Sequence, residues 1–334
     1  MNTQHIKSPC CHATYIKYGP RRYQCSRCRK TWRIRKRKRG RRSMRVSKAL
    51  ALKLLETHST IRQRSYLKQL SERQYQRRMS MALGSLNHGE LYDRIPKHTP
   101  LTLLIDGLWA HCDGKRTVIY LLAVKPIEEN KAYLLPPEVF PGAETHKKWQ
   151  MILEKLPPDV FNRIVALICD GLSGMTEKAS RWGWVVQRCQ FHYIKTLERF
   201  RGKKNRFITE KIYRENLYRM IRKALAVSEE KKASSLFQMI ECAASEERCP
   251  KWMRIYVKEL LRYQKEFRAC FLHPQLHLPA TNGTMESLAG IVRARLYLSR
   301  GFRTRRSLKR WVVGTVYAKK EICCNGIRQP NFGR

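Results

Sequence analysis

The chain has 334 residues, enough for two or three domains with a substantial core, and 69 Lys and Arg against 26 Asp and Glu leave a formal net charge of +43. That excess is too large for ordinary solvated surface charge and implies a polyanionic partner, nucleic acid, because no amphipathic or lipidation pattern supports a membrane surface. No stretch approaches a membrane span and Met1 to Gln24 lacks the apolar run of a signal peptide, so a cytoplasmic protein with reduced thiols is expected, its 12 cysteines open to metals before disulfides.

Residues 1–32 read as a small metal-stapled module. Cys25-Ser26-Arg27-Cys28 is a C-x2-C knuckle, and Cys10, Cys11, His12 and His5 lie upstream. Two ligand pairs joined by short hairpins close a tetrahedral zinc site, and so short a segment needs a metal because it cannot bury much core. Cys11, Cys25 and Cys28 form the core of the expected set, with Cys10, His12 or His5 as the fourth ligand. Residues 33–45 read as a basic linker. Arg33, Arg35, Lys36, Arg37, Lys38, Arg39, Arg41 and Arg42 crowd its first ten positions, a pattern suited to clamping phosphates.

Residues 46–95 read as a helical DNA-binding segment. Val46, Leu50, Leu54 and Leu55 share one helical face, and Ser71-Glu72-Arg73-Gln74 is a capping-box pattern opening a second helix. Tyr75, Met79, Leu83 and Leu86 form its apolar side, leaving Arg73 and Arg77 for DNA. The pair fits either a helix-turn-helix or a plain helical bundle.

Pro96 and Pro100 mark a boundary, after which the pattern becomes α/β. Strands are expected at 101–106, 117–124, 131–135, 164–169 and 184–187, with helices near 144–156 and 173–182. Close spacing makes the first three strands hairpins, and alternation with helices makes the later ones parallel. The expected fold is a mixed five-stranded sheet of RNase H-like layout, its first part spanning 96–192. Residues 193–280 read as an all-helical insertion whose apolar stripe includes Ile212, Leu217, Met220, Ile221 and Leu225. Residues 281–325 return as core helices, near 282–298 and 304–322, the latter with Trp311, Val312 and Val316 inward.

Three acids carry the chemistry. Asp106 ends the apolar run Leu101–Ile105, Asp170 ends Ile164–Cys169, and Glu286 sits inside a helix opened by Thr281-Asn282-Gly283. An acid at the end of a buried strand is costly unless it coordinates something. Two such acids plus a helical one can hold two divalent cations for in-line phosphoryl transfer. Taken singly, each Asp-Gly pair also fits a turn, and Asp113-Gly114 reads as the turn of the first hairpin. Asp113 and Glu177 are the alternate acids, and Thr281 and Asn282 are expected to cap the helix of Glu286.

The order Asp106-Gly107, Asp170-Gly171, Cys189-Gln190-Phe191-His192, helical insertion, Asn282-x3-Glu286 resembles the DDE transposases of the Mutator-like superfamily, bacterial insertion-sequence branch, over roughly residues 100–300. The N-terminal knuckle with its aromatic ending Thr31-Trp32 is similar to ribbons that precede such domains, although Ser8 stands where a first cysteine is expected. The resemblance implies that Asp106, Asp170 and Glu286 bind two Mg²⁺ or Mn²⁺ and that Cys189 and His192 lie near the site. Arg293 and Arg295, on the Glu286 helix, would offset phosphate charge. It implies double-stranded DNA, as terminal inverted repeats and as target, for substrate, and a homodimer or larger assembly on it. A resolvase-like nuclease on the same fold, or a non-catalytic zinc-ribbon regulator, are the rival readings.

Overall fold

The computed structural model describes residues 10, 13–19, 22–33, 47–56, 65, 70–199, 211–299 and 301–324; within these, the side chains of residues 18, 19, 33, 54, 56 and 199 are not described. Cys11, His12, His5, Val46 and the basic positions Arg35, Lys36, Arg37, Lys38, Arg39, Arg41 and Arg42 lie outside the described residues. The chain forms two compact units, Met1–Arg45 and Val46–Arg334.

The smaller unit is a three-stranded antiparallel sheet of β1 (Tyr15–Gly19), β2 (Arg22–Cys25) and β3 (Thr31–Arg33). Three rings cover one face: Tyr23 stacks on Trp32 at 6.2 Å and meets Tyr15 edge-on at 5.1 Å. After Cys25 the chain folds into a tight knuckle, closed by Arg29 N–H to Cys25 O and Cys25 N–H to Lys30 O.

The larger unit is built on a seven-stranded mixed sheet. Its strands are β4 (Leu101–Cys112), β5 (Lys115–Pro126), β6 (Lys131–Leu134), β7 (Glu138–Pro141), β8 (Ile164–Cys169), β9 (Val185–Arg188) and β10 (Glu321–Cys323). The order is β10-β6-β5-β4-β8-β9, with β7 also on β5. β4, β5, β6 and β10 pair antiparallel, whereas β8 runs parallel to β4 and to β9. The expected hairpins and crossovers are therefore present, but the count of five strands is corrected to seven. β7 and β10 are only four and three residues long, too short for alternation to reveal them. β6 and β7 share one edge of β5, β6 beside Ala123 and Val124 and β7 beside Thr117–Tyr120.

Strand alternation divides the sheet into two apolar faces. Leu104, Leu108, Ile119, Leu121 and Ile168 face one cluster; Leu103, Ile105, Val118, Tyr120, Leu122 and Leu167 face another. The first cluster is filled from α1 (Lys48–Glu56), α2 (Glu72–Leu83), α13 (Gly283–Leu298) and α14 (Arg305–Lys319). The second is filled from α4 (His146–Leu153), α5 (Pro158–Phe161) and α6 (Met175–Arg181). A short α3 (Gly89–Tyr92) leads into β4. On α2, Ser71 caps through its hydroxyl to the Gln74 N–H at 3.2 Å, and Tyr75, Met79 and Leu83 are buried, as the pattern predicts. α14 stops at Lys319, short of the expected 322, because Glu321–Cys323 pair with β6 instead.

The helical insertion has a core of its own. α7 (Gln190–Arg199), α8 (Lys211–Ala226), α9 (Glu230–Ser245) and α10 (Lys251–Arg262) bury Leu217, Ile221 and Leu225 against Phe237, Ile240 and Val257. Ile212, expected in that stripe, is 78% exposed in the first turn of α8, where no helix among the described residues packs over it. Two short helices, α11 (Gln264–Phe267) and α12 (Ala269–Leu272), return the chain to the sheet. Arg188 of β9 ties it there, bonded to Glu266 at 2.6 Å and Glu259 at 3.3 Å, with its guanidinium 3.5 Å from the Tyr263 ring centre.

Candidate active site

The sheet register carries the two aspartates to the same level. The last rung between β4 and β8 pairs Leu104 with Ile168, and Asp106 and Asp170 each lie two residues further on. Neighbouring strands are about 4.8 Å apart, so the acids leave adjacent strands where parallel pairing stops. Asp170 ends its strand as expected. Asp106 does not: β4 continues to Cys112, paired with β5 through Cys112 and Lys115. Its apolar run ends at Asp106 because β8 ends there, not because the strand does. Beyond it β4 and β5 continue as a hairpin ribbon, with β7 paired to β5 as far as Thr117, and its turn is Asp113-Gly114, both at positive φ, as the hairpin reading requires. Asp113 therefore sits far along the ribbon, and Glu177 is exposed on α6.

Four hydrogen bonds knot the elements that carry these groups. Cys189 N–H donates to Cys169 O at 2.8 Å, beside Asp170. Gln190 N–H donates to Ala280 O at 3.0 Å. Asn282 N–H donates to the Cys189 sulfur at 3.1 Å, and Asn282 Nδ2 donates to Ile105 O at 2.8 Å, beside Asp106. Asn282 thus binds three segments together at 1% exposure. It occupies the N-cap of α13, but its side chain makes no cap bond. The expectation that it caps through that side chain is corrected, since its amide is committed to β4 and only its carbonyl receives the Glu286 N–H, at 3.1 Å.

Glu286 lies in the first turn of α13, where its Oε1 accepts from His192 Nε2 at 2.6 Å. Charge assistance accounts for so short a distance. The Cys189 sulfur and then the Glu286 carboxylate raise His192 to about 10, against the lowering effect of burial. Of these two partners, only Glu286 stands in hydrogen-bond geometry: His192 Nδ1 is buried with no such partner among the described residues. His192 in turn holds Glu286 below the usual carboxylate range, helped by Lys195 and Arg293. Burial raises Asp106 to about 6, with Glu286 and Asp170 adding to the rise and His192 and Arg293 opposing it.

A fourth acid, Glu144, was not expected here. It precedes the Thr145 cap of α4, and its Oε1 accepts from Trp149 Nε1 at 2.7 Å. Burial first, then Asp170 and Asp106, raise it to about 7. It is seated directly over Gly107, where a Cβ would overlap its carboxylate. No periodicity marks this residue; the cue available was a glycine immediately after the strand acid.

The donor chemistry suits a hard divalent cation. The group consists of carboxylate oxygens, the ligands Mg²⁺ and Mn²⁺ prefer; burial makes the negative charge of Asp106 and Glu144 costly, whereas Asp170 is exposed. Asp106, Asp170 and Glu144 have no ion pair among the described residues, although the chain carries 69 Lys and Arg. The carboxylates are not drawn into one tight shell. Among the described residues, only Cys10, Cys25 and Cys28 bring three ligand atoms within 4.8 Å of one another. That thiol group belongs to the smaller unit, and its Cys10 and Cys28 sulfurs are 3.3 Å apart. It is a donor set able to hold a metal, and Cys10 stands in it beside the expected Cys25 and Cys28.

Of the basic candidates, Arg73 and Arg77 are exposed on α2, opposite its buried face. Arg293 is exposed two turns along α13 from Glu286 and acts on both Asp106 and Glu286, and Arg295 is half-buried further along. Arg33 ends β3.

A sequence model described as Transposase, Mutator family, matches residues 128–321, more than half of the chain. The match begins after Asp106 and spans Asp170, Cys189, His192 and Glu286. The chain belongs to the Mutator family of transposases, and so to the enzymes that process DNA. No curated protein matches it. No helix among the described residues is long and apolar enough to cross a membrane.

Proposed function

We propose that this chain is a DDE transposase of an insertion sequence, cutting DNA at terminal inverted repeats and joining the freed 3′ ends to target DNA. The observation that supports the reading is the knot of Cys189 and Asn282, which joins the segments carrying Asp106, Asp170 and Glu286 within a Mutator-family chain. The strand order β6-β5-β4-β8-β9 supports an RNase H-like core, with β7 and β10 as edge additions.

Asp106, Asp170 and Glu286 are the residues that would hold Mg²⁺ or Mn²⁺. When bound, the ions lower the pKa of the attacking water or 3′-hydroxyl and stabilise the leaving 3′-oxygen. The chain's own residues prepare that chemistry. The sheet sets two carboxylates level, and Asn282 fixes the distance from β4 to the first turn of α13. His192 orients Glu286 and carries a proton. Arg293 and Lys195 supply positive potential that a scissile phosphate needs on approach. In the smaller unit Cys10, Cys25 and Cys28 would hold zinc, completed by Cys11, His12 or His5, and form a zinc ribbon. That unit, the basic linker with Arg33, and the exposed Arg73 and Arg77 would contact the repeats. Pairing two ends calls for a dimer or larger assembly on DNA, in the bacterial cytoplasm.

The test is a cleavage and strand-transfer assay with Mg²⁺ or Mn²⁺ on the element's inverted repeats. Asp106→Asn, Asp170→Asn and Glu286→Gln should each lower the rate by about 10²–10⁴, the scale of losing several kcal/mol of transition-state charge stabilisation, while DNA binding persists. Cleavage that survives these changes would place the chemistry elsewhere.

A further inference from the structure

The three-acid reading leaves unused a groove that begins three residues past Asp170. It lies between α4 and α6, which pack on the same face of the sheet, and its volume is about 360 Å³, within the range of small-ligand sites. Glycines set its head. After β8 the chain turns at Gly171 and Gly174, both at positive φ, and Gly174 passes so close to His146 that a Cβ would stand 2.9 Å from the imidazole. α4 contributes His146 and Gln150, one turn apart; α6 and the loop before it contribute Ser173, Glu177, Lys178 and Arg181.

No apolar side chain lines the groove, so an apolar peptide anchor or a lipid chain has nothing to pack against there. Its cations are unspent. Arg181 follows Glu177 by four residues, the spacing at which Arg219 and Glu215 pair on α8. Lys178 and Arg181 nevertheless form no ion pair among the described residues. Lys178 is half-buried, its ammonium 5.7 Å from the Trp182 ring centre. Gln150 Nε2 donates to Glu154 Oε1 at 2.6 Å, which leaves its carbonyl as an acceptor. Two cations against one acid, beside a hydroxyl, an imidazole and an amide, suit a ligand that carries phosphates and polar sugar or base edges. The position suits DNA. β4, β8 and β9 run parallel, and ligands of such sheets sit beyond the carboxyl ends of their strands, where this groove starts. From Ser173 to Arg181 it follows α6 for about 12 Å, roughly the axial rise of three to four nucleotides.

We propose that the groove between α4 and α6 seats a DNA strand as it passes the active site, with Lys178 and Arg181 each on a backbone phosphate. The inference rests on the DNA-cutting reading above. It adds a binding surface that none of the three acids, nor the basic linker, defines.

The experiment maps phosphates. The full chain is bound, with Ca²⁺ in place of Mg²⁺, to repeat-end duplexes in which one phosphate at a time is replaced by an uncharged methylphosphonate. Cleavage of the unmodified duplex with Mn²⁺ is measured in parallel. Wild type is compared with Arg181→Ala and Lys178→Gln, and melting temperatures report that each variant is folded. Each substitution should lower the log–log salt slope of binding by about one unit. In wild type, neutralising one or two phosphates near the cut should weaken binding; in each variant the matching phosphate should no longer matter. Unchanged slopes would overturn the proposal. So would a phosphate map that is the same in variants and wild type, since the two cations would then act only as part of a diffuse surface charge. Either result beside cleavage by wild type leaves the three-acid reading standing. Groove-specific phosphates on a duplex that wild type never cuts would sink the cutting reading and keep the groove, and absence of DNA binding by wild type would overturn both.

Discussion

In the smaller unit, three thiols lie within 4.8 Å of one another, Cys25 at the end of the central strand of a sheet whose strands are three to five residues long. In the larger unit, carboxylates are delivered by β4, the end of β8, the loop before α4 and the first turn of α13, each anchored in a two-faced core. The thiol group has little hydrophobic burial to position it, so a metal held there would organise the fold. The carboxylates are positioned by packing and hydrogen bonds, so the fold would organise a metal bound there. Soft ligands drawn into one shell suit a structural ion, whereas hard ligands held slightly apart suit ions that must still admit a phosphate.

The largest expected effect separates the two directly. Stripping the thiol metal with a chelator, or Cys25→Ser, should unfold the smaller unit, because structural zinc contributes on the order of 10–16 kcal/mol to such modules. Trp32, in the Tyr15–Tyr23–Trp32 group, should become fully solvated in its fluorescence, while the main calorimetric transition of the larger unit stays in place. A Trp32 signal indifferent to the chelator would remove the contrast between the two sites.

A middle-sized effect tests whether the fold positions the acids. Asn282→Ala removes the bond to Ile105 O in the interior and should cost about 1–3 kcal/mol of stability, the penalty for an unpaired buried carbonyl. If the knot sets the acid geometry, cleavage should fall by more than the melting shift accounts for at a temperature where the variant is folded. Equal activity in the folded variant would show that α13 finds its place by apolar packing alone.

The smallest effect lies on neither metal. Arg73→Ala with Arg77→Ala should leave stability within about 0.5 kcal/mol, since both side chains are exposed on α2. It should flatten the salt dependence of DNA binding by about one unit of log–log slope for each phosphate that these arginines neutralise. An unchanged slope would take α2 out of the DNA-binding surface.

How much of this could be read in the chain beforehand depends on the range of the interaction concerned. Asp170 and Glu286 were legible because a strand end and a helix start are local patterns, as were the Ser71 cap and the Asp113-Gly114 turn. Asn282 was legible as an N-cap residue but not in its bond, because its partner Ile105 lies far along the chain and nothing in the local pattern distinguishes a cap from a clasp. Asp106 was legible as an acid but misjudged as a strand end, since the end of a neighbouring strand leaves the same trace in hydropathy as the end of its own. Glu144 escaped altogether. Its significance arises only when Gly107 comes beneath it, and a glycine and a glutamate that distant carry no shared periodicity.

The single bond from Gln190 N–H to Ala280 O has a consequence for how such a protein can change. It joins the residue where the chain leaves the sheet for the helical insertion to one near where it comes back. The insertion therefore hangs from a closed neck and has its own core, while Arg188 binds it to the sheet through Glu259 and Glu266, and His192 on α7 binds it to Glu286. Its helix α9, which none of those bonds reaches, is the part that can be shortened, exchanged or given a new surface without retuning the distance between Asp106, Asp170 and Glu286. The same neck offers engineers an address for grafting a foreign domain beside a DNA-processing centre.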